Sequence, residues 1–175
     1  GEVLKQLETS QLDAIADKFK VSSVEAVAIC FINSYVNPSH EREAQLYLQA
    51  KLPSVPISAS VQLLPQIQEF ERTSTTVINA YIRPVVENYM TSLSRRMQRI
   101  GITVPLMIMH SSGGVMRADM AGANPVYIIE SGPAAGVVGA QRLGEHLNLG
   151  DLMVLDMGGT TAKASLVQDG QFTVM

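Results

Sequence analysis

Near the end of the chain, an acid, two glycines and two threonines fall within six positions: Asp156, Gly158, Gly159, Thr160 and Thr161 in "DMGGTT". Apolar runs flank them, from Leu152 before and from Ala164 to Val167 after, so the six residues read as the turn of a β-hairpin. A purely structural reading covers the glycines, which supply positive φ at little steric cost. It leaves no purpose for two successive hydroxyls or for an acid at the end of a strand expected to be buried. A buried carboxylate needs a partner, because an unpaired buried charge is expensive. Mg2+ carried by a nucleotide is one, since it keeps its waters and binds through one or two carboxylates plus phosphate. Glycines let main-chain N–H groups approach phosphate oxygens, and threonine hydroxyls add donors. On the residues alone, the turn and the phosphate site both stand.

Two commoner nucleotide sites are excluded. The chain has no G-x-x-x-x-G-K-[ST] and no G-x-G-x-x-G opening a helix after a strand. A second glycine-rich stretch, Ser131 to Ala140, reads as the start of a helix. Ser131 can cap it, Pro133 suits its first turn, and Gly136 and Gly139 are tolerable where a helix presses on another backbone. Its first N–H groups can also receive an anion. His40, His110 and His146 show no metal-ligand spacing; His110, at a strand end beside Ser111–Gly114, is the best placed of the three for function. Cys30 lies in an apolar stretch and reads as a small buried hydrophobe. Glu71, Arg72 and Thr73 form a polar cluster opening a long helix, with Thr73 as its cap. Arg95, Arg96 and Arg99 read as complements to that helix's dipole, with Gly101 as its left-handed cap.

The elements that would position these residues alternate, which favours an α/β architecture. Leu12, Ile15, Ala16 and Phe19 recur at helical spacing, with Ser10 and Asp13 as a capping box. Val24 to Tyr35 reads as a strand buried on both faces. Asn37 and Pro38 start a helix that presents Ala44, Tyr47 and Leu48 inward, and Val55 to Leu64 reads as another strand. A helical stretch from about Glu69 to Ile100 is expected to kink or break at Pro84. Beyond that point Val86, Met90, Leu93, Met97 and Ile100 make one apolar stripe. Val104 to His110 and Pro125 to Glu130 read as strands. Asp169-Gly170 turns the closing hairpin into a third strand, "QFTVM".

With 46% hydrophobic and 17% charged residues the chain is an ordinary globular one, and a net charge of -3 gives no electrostatic reason to expect nucleic acid. Apolar runs are interrupted early, as by Glu25, well short of the roughly 20 residues that span a membrane. No basic-then-apolar leader is visible, and a single cysteine fits a reducing cytoplasm. The first residue is not Met and the last lies in a strand, so the chain reads as a piece of a longer polypeptide.

Five stretches in order, "CFINSYVNPSHE", "EFERTSTTVINAYIRPV", "MHSSGGVM", "ESGPAAGVVGA" and "DMGGTTAKASL", resemble the hydantoinase A/5-oxoprolinase family. The resemblance runs from about Glu25 to Gly170. It implies an actin-like ATPase (ribonuclease H-like) fold, with residues 1–73 the end of the first lobe and residues 74–175 the start of the second, catalytic lobe. Such folds hold phosphate with D-x-G-G-T hairpins, one from each lobe, and Asp156, Gly158, Gly159, Thr160 and Thr161 match the second of these. The implied cofactors are ATP and Mg2+, the latter held by Asp156 through water. The implied partners are a cyclic amide substrate and a second, hydantoinase B-like subunit, with neither nucleic acid nor membrane. Lys163 departs from the pattern, since many relatives carry an acid there; it is expected to face solvent. The implied activity is ATP-dependent opening of a hydantoin-type ring, with a 5-oxoprolinase or an acetone carboxylase-type subunit as the alternative. A nucleotide-switched binding protein of the actin or chaperone kind and a kinase of the same superfold would share the turn. The isolated segment is expected to be inactive.

Overall fold

A computed structural model of the chain describes residues 2–172. Helices and strands alternate through most of its length, and the chain divides into two units: Gly1–Tyr89 with Gly122–Val126, and Met90–Ala121 with Tyr127–Met175. Among the described residues no helix is long and apolar enough to cross a membrane.

The first unit is built on a β-α-β crossover. Strand β1 (Val27–Ile29) leads through helix α2 (Ser39–Lys51) to β2 (Ile57–Ala59), which pairs parallel to β1 with Ala28 opposite Ser58. Helix α1 (Thr9–Val21) contributes Leu12 and Ala16 to the core beside Val27, Ile29, Ala44, Leu48, Leu52 and Ile57, with Phe19 and Tyr47 packed against it. The helical spacing read from the sequence buries Leu12 and Ala16 and packs Phe19 against them, but Ile15 of the same expected stripe is exposed. The capping box does not form. Helix α1 begins at Thr9, its N-cap Glu8 makes no side-chain cap bond, and Asp13 instead accepts bonds from Lys51 Nζ (2.8 Å) and Tyr47 Oη (2.9 Å) of α2. The lysine first, and then the tyrosine, hold the Asp13 carboxyl below the usual carboxylate range. Helix α2 starts one residue later than expected, with Pro38 as its N-cap and not its first residue, and Asn37 Oδ1 accepts the Ser39 N–H at 3.1 Å from one position before the cap.

The expected strand over 24–35 shrinks to Val27–Ile29, and Ala28 between its two buried neighbours is exposed. After Cys30 the backbone turns, with Asn33 at φ 58° and the Val36 N–H on the Asn33 carbonyl at 3.0 Å. The stretch 55–64 divides into β2, buried throughout, and a short helix α3 (Ser60–Leu63).

Helix α4 (Glu69–Arg99) runs 31 residues without a break, although Pro84 lies inside it. A proline removes one hydrogen bond and costs about 3 kcal/mol. Upstream of it Arg72, Thr76, Asn79 and Ala80 are buried and Arg83 donates to the Ile57 carbonyl at 2.9 Å, so tertiary bonds outweigh that loss. The C-terminus follows the expectation: Gly101 at φ 85° closes a Schellman turn, with Ile102 N–H on Met97 O (3.0 Å) and Gly101 N–H on Gln98 O (3.1 Å).

In the second unit β3 (Met107–Met109) and β4 (Val115–Arg117) form an antiparallel hairpin, followed by helix α5 (Ala118–Ala123), whose last residues belong to the first unit. The expected strand at 125–130 is instead a 3-10 helix over Pro125–Ile128. Tyr127 O accepts the Ser111 N–H at 2.7 Å, a bond that ties this turn to the β3–β4 hairpin instead of to a sheet edge. Helix α6 (Ser131–Leu147) packs on one face of an antiparallel sheet ordered β5-β6-β7: β5 (Leu152–Met157), β6 (Ala162–Gln168) and β7 (Gln171–Phe172). The rest of the expected strand "QFTVM" lies outside the described residues. The close approach of helix to sheet falls at Gly144, not at Gly136 or Gly139. A Cβ on Gly144 would stand 2.5 Å from Leu152 Cδ1 and 3.0 Å from Leu149 O, whereas one on Gly136 or Gly139 would meet nothing within 4 Å.

Candidate functional site

Strands β5 and β6 pair from Leu152↔Val167 through Asp156↔Lys163 to Met157↔Ala162. The connection therefore consists of Gly158, Gly159, Thr160 and Thr161, closed by Gly158 N–H on Thr161 O at 2.9 Å. All five residues singled out in the sequence share one end of one hairpin. Two expectations about them change. Neither Gly158 nor Gly159 adopts positive φ; the glycines that do are Gly101, Gly113 and Gly170. Nor does space require them: a Cβ on Gly159 would meet nothing within 4 Å, and one on Gly158 only Thr161 O at 3.9 Å. What bare backbone offers there is close approach by a ligand. The second change is that Asp156 is exposed. Its strand is covered by α6 on one face only, with Leu152 and Val154 half-buried and Met153, Leu155 and Met157 exposed. The desolvation argument for a partner therefore lapses, and among the described residues nothing hydrogen-bonds or ion-pairs with the Asp156 carboxylate.

Lys163 stands directly across the ladder from Asp156 but bonds to the Glu130 carboxylate, so it does not simply face solvent. Glu130 is the N-cap of α6, where neither it nor Ser131 makes the side-chain cap bond expected of Ser131. Its main-chain N–H is held by Ser111 Oγ at 3.1 Å.

The donor set at the hairpin end suits a nucleotide's phosphates. The turn uses the Gly158 amide to close itself, while the amides of Gly159 and Thr160 carry no backbone hydrogen bond among the described residues. Two hydroxyls stand beside them. No group of three or more His, Cys, Asp or Glu among the described residues is arranged to hold a metal ion. A single carboxylate is what Mg2+ arriving with a nucleotide requires.

The three histidines serve different ends. In the β3–β4 turn, His110 Nδ1 accepts the Ser112 N–H at 3.0 Å, and its ring stacks on Tyr127 at 5.1 Å between centroids. Burial pushes the Tyr127 hydroxyl's pKa up. Gly113, at φ 87°, is a glycine the turn requires, since a Cβ there would lie 2.9 Å from Phe172 Cζ. Much of His110 is thus engaged in holding the turn. His146 lies in the last turn of α6, and His40 on α2 keeps a buried Nε2 without a partner. An open cleft of about 480 Å³ in the second unit is lined by Ser111, Glu130, Pro133, Ala134, Ser165 and Phe172 among others, but not by Asp156 or its turn.

Glu41 and Arg72 hold the first unit together, and sequence reading missed both roles. Glu41 is 0% exposed and accepts Phe31 N–H (2.7 Å), Ser60 Oγ–H (2.8 Å) and Val61 N–H (3.0 Å). Arg72, 1% exposed, donates to Ser34 Oγ (2.7 Å) and Phe31 O (2.8 Å) and lies over the Tyr35 ring. Asn79 donates to Ser58 Oγ at 2.9 Å and accepts Val126 N–H at 3.1 Å. Thr73 is not a cap, since α4 begins at Glu69; its Oγ1 lies 3.1 Å from Cys30 Sγ, which is half-buried. The signal was spacing. Glu41 shares the stripe of Ala44 and Leu48, and Arg72, Thr76 and Asn79 repeat at steps of four and three.

The hydantoinase/oxoprolinase family model matches residues 72–175, more than half of the chain, and the model of the family's N-terminal region matches residues 1–52. The chain belongs to the hydantoinase/oxoprolinase family. It is 33% identical over 171 residues to caprolactamase subunit alpha of Pseudomonas jessenii, covering 98% of this chain and 25% of that protein. It is 30% identical over 170 residues to the 5-oxoprolinase of Saccharomyces cerevisiae, covering 97% of this chain and 13% of that protein. The crystal structure of the ATP-dependent caprolactamase superposes with a TM-score of 0.82, over 95% of this chain and 24% of that one. Nucleotide-free acetone carboxylase superposes with 0.81 at 26% identity, again over 95% of this chain and 24% of that one. This hydantoinase/oxoprolinase chain is a piece of their α/β, actin-like ATPase fold, spanning about a quarter of the caprolactamase and acetone carboxylase chains and 13% of the 5-oxoprolinase.

Proposed function

We propose that the protein carrying this segment is an ATP-dependent amidase that opens a hydantoin-type cyclic amide. The observation that carries this is the hairpin end, with bare glycine backbone, two unengaged amides, two hydroxyls and an unpaired carboxylate. It occurs in a chain similar to a caprolactamase described as ATP-dependent. Asp156 would hold Mg2+ through its waters. The amides of Gly159 and Thr160, next to the Gly158 amide that closes the turn, and the hydroxyls of Thr160 and Thr161 would hold phosphate oxygens. Bound ATP would supply the γ-phosphoryl group that activates the amide oxygen, with ADP as the leaving group, and water would open the ring as phosphate is released. The protein's part is positioning and charge neutralisation.

Residues 1–73 would close the N-terminal lobe and residues 74–175 open the catalytic lobe, which the family match beginning at residue 72 supports. A second, hydantoinase B-like subunit is the expected partner, since the caprolactamase relative is named as a subunit. The expected compartment is the cytoplasm. The segment alone would be inactive, having a quarter of that relative's length. An acetone carboxylase-type, ATP-handling subunit is the second reading, favoured by the structural likeness to that enzyme.

The test is ADP release by the full-length protein with its partner subunit, measured with and without hydantoin, caprolactam and 5-oxoproline. Stimulation by a cyclic amide, with ring-opened product matching ADP, is the expected result. An ATPase indifferent to all three would overturn the amidase reading and leave the acetone carboxylase-type and switch-protein readings, and an accumulating phosphorylated product would assign the site to a kinase.

A further inference from the structure

Lys163 is the residue that neither the turn nor the strand explains. Register places it directly opposite Asp156, where an acid and a base attract each other across an antiparallel ladder. Its ammonium goes to Glu130 instead. Glu130 is placed independently of that bond, because Ser111 Oγ holds its main-chain N–H and the α6 backbone begins there. Its carboxylate caps nothing in the helix it precedes. From these positions we infer that Glu130 is a positioning residue that holds Lys163 away from Asp156, leaving the Asp156 carboxylate open to the Mg2+ of an incoming nucleotide. This rests on the reading of the hairpin as a Mg2+-nucleotide site.

Without the Glu130 charge, the acid in register with Lys163 is Asp156. A lysine settled there neutralises the carboxylate and competes with the metal. The role belongs to charge placement, not to the shape of the α6 start, so removing the lysine as well should undo the damage.

The experiment titrates Mg2+ into full-length protein with a fluorescent, non-hydrolysable ATP analogue and reads the Mg2+ midpoint for analogue binding. Glu130→Gln should raise that midpoint about three- to fivefold, the scale of one exposed charge pair. The double variant Glu130→Gln/Lys163→Met should return it to the wild-type value, and Lys163→Met alone should not raise it. An unchanged midpoint in Glu130→Gln, or a rise that the double variant does not relieve, overturns the positioning role. Asp156→Asn separates the two levels. If it raises the midpoint while Glu130→Gln does not, only the positioning role is lost; if it leaves the midpoint unmoved, the nucleotide assignment of the hairpin is lost with it.

Discussion

Asp156→Ala should reduce ATP-dependent turnover of the full-length protein roughly a hundredfold or more, the scale seen when one preorganised charge-stabilising group is removed. Circular dichroism and the melting temperature should stay at wild-type values. The two halves of this expectation have separate origins. The functional loss would follow from the proposed role of Asp156, the carboxylate at the hairpin end, in holding Mg2+ through its waters. The intact fold follows from exposure: Asp156 buries nothing and holds no partner among the described residues, so alanine there leaves no cavity and no orphaned group. Turnover within a few-fold of wild type would remove Asp156 from the mechanism. Loss of turnover accompanied by unfolding would make it a structural residue.

The largest effect on stability is expected at Glu41 and Arg72. The two charges address the same stretch of backbone: Glu41 takes the Phe31 N–H, and Arg72 donates to the Phe31 carbonyl and the Ser34 hydroxyl. Both act on that one segment, and no ion pair joins them among the described residues. Arg72→Met removes two buried, charge-assisted hydrogen bonds, to the Phe31 carbonyl and the Ser34 hydroxyl, each worth about 1.5–3 kcal/mol. In a unit of this size the melting temperature should fall by more than about 10 °C, as read by scanning calorimetry. Glu41→Met should cost a similar amount, and the double variant less than the sum, because both residues hold the same Phe31 segment. Strict additivity, or a loss of only a degree or two, would show that the charges act independently or are solvated.

Where local pattern decides the outcome, the sequence was a good guide. Helices α1, α2, α4 and α6 follow apolar spacing, α4 ends on the glycine expected at 101, and Asp169 and Gly170 both take the positive φ that their turn was expected to need. It misled where a tertiary bond overrides local preference. Val24 to Tyr35 has strand composition, but Glu41 and Arg72 seize the Phe31 peptide and the chain turns. Pro125 to Ile128 is apolar enough for a strand, but Asn79 takes the Val126 N–H and the backbone coils. Pro84 has the composition of a break, yet buried Arg72, Thr76 and Asn79 keep the helix continuous. At the hairpin end the residue types were legible, while the reasons for them were not. Positive φ and burial were the expected causes, and neither applies to Gly158, Gly159 or Asp156. The Glu130–Lys163 pair was beyond reach because it joins residues 33 apart that only the packing of α6 on the sheet brings together.

The most direct measurement is a structure of the full-length protein with Mg2+ and a non-hydrolysable ATP analogue. The expected result places phosphate oxygens about 3 Å from the Gly159 and Thr160 amides, with Asp156 on the metal's waters. A nucleotide bound with its phosphates elsewhere, or a hairpin end packed shut with Asp156 paired to an arginine, would contradict it.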